Sequence, residues 1–338
     1  MPELVRLQKE ITDEGNIAIP AVMIPSVRRL VAEDRGLLEN VLIITPQSLG
    51  DVVCSIPAIR YGTKRFDRLT VATYYPELFE TMDGVHEIID LKTTTPEWDK
   101  YFTLRCYYDG EDLNSEFIVN FNTQIVDYIS IGLFRNQLPV DDRAIWLDLR
   151  NEKEHLSREV VVHPGASWPS KTFPVCWWNE VLASLIGEGI RPTLIGGTTH
   201  DGRGVVDVCT VGCDDLRHKL SVRESAALLH SAKVVITNDS APLHLAAAGH
   251  AWIGFLSTVK HPDAITHWRK SCDTDKEYVK WGWRMENLSL GWIYRHEYMN
   301  PAYNFVTRFD QATPKELESR LPDPQTVAQW AVEKLRSL

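Results

Sequence analysis

Short runs of β-branched and other apolar residues, each closed by a turn and followed by a stretch of helical period, recur along this chain. Asn40-Val-Leu-Ile-Ile-Thr45 is followed by Pro46-Gln-Ser-Leu-Gly-Asp51 and a helical stretch to about Thr63. An uninterrupted apolar run of that length, rather than an alternating one, is the pattern of a strand buried on both faces, which is the parallel-sheet case. Further strands are expected at Leu69 to Thr73, Glu87 to Leu91 and Phe117 to Asn120. A second alternation starts at Glu159-Val-Val-Val-His163 and enters a helix in which Trp178, Val181, Leu182, Leu185 and Ile186 share one face, ended by Gly187 and Gly189. Then come a strand at Arg191 to Ile195 with Gly196 and Gly197, a helix from Val222 to His230, and strands at Val234 to Ile236 and Ala251 to Phe255. The expectation is an α/β protein made of two Rossmann-like layers with mainly parallel sheets and a cleft between them.

A chain of 338 residues supports two such units, each with its own core. The charged run Arg150-Asn-Glu-Lys-Glu-His-Leu-Ser-Arg158 reads as the connection. The expected units are a prefix over 1–38 with a helix after Pro25, an N-terminal Rossmann-like unit over 39–150, a C-terminal one over 151–312, and a helical segment over 313–338. In the last of these, Asp323 caps, Pro324 occupies the first turn, and Val327, Trp330, Ala331 and Leu335 form one face that needs a docking surface. Within the C-terminal unit, residues 268–309 carry a dense aromatic set whose leading reading is packed core, with stacking on a base or sugar ring as the alternative.

No apolar run approaches the roughly 20 residues of a membrane-spanning helix, and MPELVRLQKEITDEG at the N-terminus lacks the apolar core of a secretory signal. A cytoplasmic location is the expectation. The formal charge of −10 argues against duplex DNA as a direct partner. Six cysteines at 54, 106, 176, 209, 213 and 272 lack zinc-finger or redox spacing and read as buried thiols.

The residues with chemistry cluster after the strands. Val234 to Ile236 stop at Asn238-Asp239-Ser240, Pro242 sits at a first helical turn, and an alanine-rich segment follows. A helix N-terminus presents unbonded N–H groups to an anion, so a phosphate can settle there; Asp239 or Ser240 as a plain cap is the other reading. Asp51, at the junction of the first strand and its helix, is either a general base toward an attacking hydroxyl or the N-cap of a helix starting at Val52. His163 ends a strand ahead of a Gly-containing loop that leads to Lys171, a lysine able to neutralise a leaving diphosphate, while His163 alone is equally a structural histidine. His244 lies in the first turns after Asp239 and either reaches the same site or packs. Asp273-Thr-Asp275 has the spacing of a divalent-ion motif but does not follow a strand, and no metal is expected. Neither a P-loop nor a Gly-x-Gly-x-x-Gly run is present.

Ser48-Leu-Gly-Asp51 with Pro57-Ala-Ile-Arg60, then His163-Pro-Gly-Ala with Lys171, then Gly196-Gly197, then Asn238-Asp-Ser-Ala-Pro-Leu-His244-Leu-Ala-Ala-Ala, in this order, resemble the ADP-heptose:lipopolysaccharide heptosyltransferases of glycosyltransferase family 9. The resemblance covers about residues 40–258 and implies the GT-B architecture. It implies inverting, metal-independent transfer of a heptose or related sugar from a nucleotide-diphosphate donor, ADP-linked, to a glycan or lipid-linked acceptor hydroxyl, without a cofactor. By the same resemblance Asp51 is the general base, and His163, Lys171, Asp239, Ser240, Ala241 and His244 hold the donor. A lipid-linked acceptor would place the protein at the inner membrane surface. Two departures stand out: Ala241 replaces the family's glycine, and the glutamate that follows the Gly-Gly strand has no counterpart in Gly196-Gly-Thr-Thr-His-Asp201. They keep open a catalytically inactive nucleotide-sugar binding protein, or a 2-epimerase-like isomerase.

Overall fold

The structure is a computed structural model and describes residues 10–11, 17–18, 40–106, 124–134, 136–149, 152, 158–165, 171, 173–197, 206–256, 265–270, 278–279, 285–287 and 321–338. The expected helix after Pro25, the strand at Phe117 to Asn120, the Asp273–Asp275 motif and most of the aromatic segment lie outside them.

The first sheet contains β1 (Val41–Ile44), β2 (Leu69–Thr73), β3 (Val85–Asp90) and β4 (Phe102–Arg105), all parallel, in the spatial order β3-β2-β1-β4. All four residues of β1 are buried, because neighbouring strands flank it and layers cover both faces. Between β1 and β2 runs α1 (Leu49–Gly62), which buries Val52, Val53, Cys54, Ile56 and Ile59. Its near-total burial follows from its neighbours: it lies against α2 (Ile125–Phe134) and against α5 of the second unit. Sequence reading did not identify β4, whose four residues carry a single fully buried position, Leu104, and so offer no apolar run.

The second sheet contains β5 (Val160–His163), β6 (Thr193–Leu194), β7 (Asp214–Asp215), β8 (Val234–Asn238), β9 (Trp252–Leu256) and β10 (Met285–Asn287). Its order is β10-β9-β8-β5-β6-β7, again with every pairing parallel. Counted within the unit this is 3-2-1-4-5-6, the doubly wound dinucleotide-fold order, and the first sheet repeats its 3-2-1-4 portion. Both sheets therefore change winding direction beside their first strand, between β1 and β4 and between β5 and β8, and the crevice beyond the carboxyl ends at such a point is where α/β sheets hold ligands.

Helices α3 (Val175–Gly187), α4 (Val222–Ser231), α5 (Ala241–Ala246) and α6 (Pro324–Arg336) complete this unit. Ser221 and Glu224 form a reciprocal capping box at α4. The docking surface of the last helix is α3: Val327, Trp330 and Ala331 join Trp177, Trp178, Val181, Val234 and Ile236 in one apolar cluster, and Trp177 Nε1 donates to Pro322 O at 2.7 Å. Asp323 caps α6 as expected, accepting from the Thr326 N–H at 2.8 Å. Among the described residues no helix is long and apolar enough to cross a membrane.

The units are tied by more than the connecting chain. Arg223 of α4 reaches back to the first unit's Glu77 O at 2.9 Å and to Asp148 O at 2.7 Å, while its Nε meets Glu152 at 2.5 Å. Trp178, fully buried, packs edge-on against Phe173 and Trp177. Trp178→Ala should lower unfolding free energy by about 3–5 kcal/mol, read from urea denaturation midpoints at constant m-value.

Candidate functional site

The sequence candidates gather at the carboxyl ends of β1, β5 and β8, the winding-reversal points of the two sheets. At β1, the helix begins earlier than the sequence reading placed it. Ser48, not Asp51, is the N-cap of α1, and the helix starts at Leu49 rather than Val52. Ser48 Oγ donates to Asp51 Oδ2 at 2.6 Å and accepts, weakly, from the Asp51 N–H at 3.5 Å. Because Ser48 serves as the cap, Asp51 occupies the first turn with its carboxylate partly exposed.

His163 closes β5 and is buried. Burial pushes its pKa down to about 4, so at neutral pH the ring is uncharged. Its Nδ1 lies 3.0 Å from Ser240 Oγ and 3.5 Å from Thr237 Oγ1. The opposite edge of the ring is covered by Gly196, which has φ +133°; a Cβ there would stand 3.1 Å from His163 Cδ2. That position takes glycine both for the close approach and for the backbone conformation.

Beyond β8, Ser240 is the N-cap of α5, but its side chain makes no capping bond and goes to His163 instead. Asp239 is 4 % exposed and pairs through Oδ2 with Lys171 Nζ at 2.7 Å. Asn238 Nδ2 donates to Lys171 O at 2.6 Å, so one residue of the β8 turn fixes the lysine's backbone and the next holds its ammonium. Asn238 has no special role in the sequence reading, although it stands inside the quoted motif. The six residues of α5 make a short helix, so the dipole invoked from the sequence is small, and charge toward an anion comes from Lys171.

Gly50 brings the two halves together. A Cβ on Gly50 would lie 3.0 Å from His244 Cδ2 and 3.5 Å from Ala241 Cα. The turn bearing Asp51 thus abuts the turn bearing Ala241 and His244. The latter is buried, with Nδ1 3.4 Å from Cys54 Sγ and 2.6 Å from His267 Nε2. Cys54 and His267 escaped sequence reasoning; the three residues lie in separate stretches, and only the fold joins them. The buried-thiol expectation holds for Cys54 and Cys106 and fails for Cys176 and Cys209, which are exposed on the first turn of α3 and in a loop; Cys213 is half-buried and Cys272 lies outside the described residues.

Titration of His163 has a readable consequence. The unfolded chain takes up a proton at this histidine near its ordinary pKa of 6.5, the folded one only near 4, so stability is lost as pH falls between those values. The single group contributes up to about 3 kcal/mol of that loss. Urea midpoints at pH 7 and pH 5 should differ less in His163→Gln than in the parent protein.

Residues 126–252 match Glycosyltransferase family 9 (heptosyltransferase). Lipopolysaccharide heptosyltransferase 3 of Escherichia coli is 26% identical over 160 residues, which is 45% of this chain and 46% of that relative; the match thus spans about half of the relative's length. The solved structure of TibC from enterotoxigenic E. coli H10407, an iron-containing dodecameric glycosyltransferase, superposes with a TM-score of 0.61 at 20% identity, covering 90% of this chain and 81% of TibC. TibC has also been solved in complex with ADP-D-beta-D-heptose. The E. coli ADP-heptose lipopolysaccharide heptosyltransferase II superposes with a TM-score of 0.54 at 16% identity over 86% of this chain and 99% of that one. With the two parallel sheets, the likeness to these solved structures gives the chain the GT-B fold, and its residues 126–252 are similar to glycosyltransferase family 9 (heptosyltransferase).

Proposed function

We propose that this chain is a glycosyltransferase that moves a heptose or related sugar from a nucleotide diphosphate to an acceptor hydroxyl with inversion. The observation that carries the reading is the contact of the α1 and α5 starts, which sets a partly exposed carboxylate, Asp51, opposite a set of donor-side groups on the second sheet. ADP is the favoured nucleotide, since TibC is solved with ADP-heptose and heptosyltransferase II takes its name from ADP-heptose. We assign the acceptor, a glycan or lipid-linked sugar, to the unit over 39–150, and the donor to the unit over 151–312. A lipid-linked acceptor would bring the protein to the inner membrane surface.

In this reading Asp51 accepts the proton of the attacking hydroxyl as its oxygen bonds to the anomeric carbon and the bond to the diphosphate breaks. Attack and departure on opposite sides give inversion. Lys171, held by Asp239, supplies positive charge where the leaving group gains negative charge, and Ser240 and His244 offer hydrogen bonds to its oxygens. Neutral His163 keeps Ser240 in place without adding charge. No step calls for a metal at the diphosphate, because Lys171 provides the neutralisation.

Asp51→Asn should lower the turnover number by about 10²- to 10⁴-fold while ADP binding, measured calorimetrically, stays unchanged. Lys171→Ala should weaken ADP binding, with UDP, GDP and CDP as the comparison series. Unchanged turnover in Asp51→Asn removes the base from the reading, and the absence of binding to any of the four diphosphates removes the donor site.

A further inference from the structure

Cys54, His244 and His267 come together from three separated parts of the chain. Cys54 lies one helical turn beyond Asp51 on α1, His244 on α5, and His267 in the segment after β9. All three are buried, and the three donor atoms lie within 4.8 Å of one another. Sγ of Cys54 is 3.4 Å from Nδ1 of His244 and 3.9 Å from Nε2 of His267, and the two nitrogens are 2.6 Å apart.

Tetrahedral ligation by one thiolate and two imidazoles requires donor atoms roughly 3.3–3.6 Å apart, given metal–sulfur and metal–nitrogen bonds of about 2.3 and 2.0–2.1 Å. Of the sulfur–nitrogen separations, 3.4 Å lies within that range and 3.9 Å exceeds it by about 0.3 Å. The nitrogen pair needs to open by less than about 1 Å, which a small rotation of either ring supplies. No carboxylate joins the set, and sulfur with nitrogen excludes the hard cations calcium and magnesium.

We propose that Cys54, His244 and His267 form a site for a borderline first-row divalent cation of the zinc class, bridging the two α/β units beside Asp51. Zinc binds through Cys54 as the thiolate, releasing one proton, and through the lone pairs on Nδ1 of His244 and Nε2 of His267. The fourth position is left to a water molecule. The role is positional: the ion fixes the start of α1 against α5 and so the spacing between Asp51 and the second sheet. This site stands independently of the transferase reading, because it concerns metal content and not turnover.

The test uses the full chain, purified without a histidine tag. Metal analysis after desalting should give about one zinc or ferrous ion per chain, and X-ray absorption at the metal edge should show one sulfur and at least two nitrogen neighbours. Cobalt(II) reconstitution should produce a thiolate-to-cobalt charge-transfer band that is absent in Cys54→Ser. Cys54→Ser and His267→Gln, checked by circular dichroism for retained fold, should each bind zinc at least about tenfold more weakly. Should either variant fail to fold, the absorption spectrum of the parent protein decides alone. Protein that holds no metal after zinc reconstitution, a shell without sulfur, or a shell of several sulfurs drawn from other cysteines overturns the site and leaves a hydrogen-bonded histidine pair beside a thiol.

Discussion

The close approach of α1 and α5 is the constraint on which the candidate site rests. Helices this near crowd any side chain at Gly50, where a single methyl group would press on the His244 ring. Each partner is positioned by its own sheet, α1 by the fully buried β1 and α5 by the fully buried β8. The contact therefore transmits the geometry of two independent parallel sheets to one place. Arg223, bonded to two carbonyls of the preceding unit and to the Glu152 carboxylate of the connecting run, holds the same arrangement from a second side.

Charge at the site is arranged in layers. Lys171 and Asp239 form a pair that is 14% and 4% exposed at the side chains, so neither charge stands bare in the interior. His163 behind them is neutral, and Asp51 across the contact stays partly open to solvent. A pair whose lysine is the more exposed member is suited to present its cation outward while the carboxylate anchors it. With only six residues, α5 carries a small helix dipole, and Lys171 in its pair with Asp239 is the nearby positive charge.

Much of this was legible in the sequence, for reasons that differ by residue. The fully apolar strands β1 and β8 and the one-faced helix α3 announce themselves because burial on both faces, or on one stripe, writes a period into the chain. Asp51, His163, Lys171, Asp239, Ser240 and His244 are legible because each ends or follows a strand, the place where a doubly wound sheet opens. The N-cap was misplaced by three residues because Ser48 and Asp51 are both capping types at capping-box spacing, and local sequence does not say which one serves. β4 was missed because an edge-like run with one buried residue has no period to read. Cys54 and His267 had no signal at all, since 213 residues separate them along the chain and only tertiary packing makes them neighbours.

The helix α6 carries a consequence for how the protein comes into being. It covers one face of the second sheet, with Val327, Trp330 and Ala331 sealing Val234, Ile236 and Trp178. During synthesis that face remains wet until residues 324–336 have left the ribosome, some 90 residues after β8 itself. The first unit's sheet, whose four strands end at Arg105, is complete long before that, although its helix α1 still waits for α5 to cover it. The two halves of the molecule are thus asymmetric in time although similar in topology: a nascent chain interrupted late exposes the apolar face of the second sheet, a surface that invites chaperone capture or aggregation.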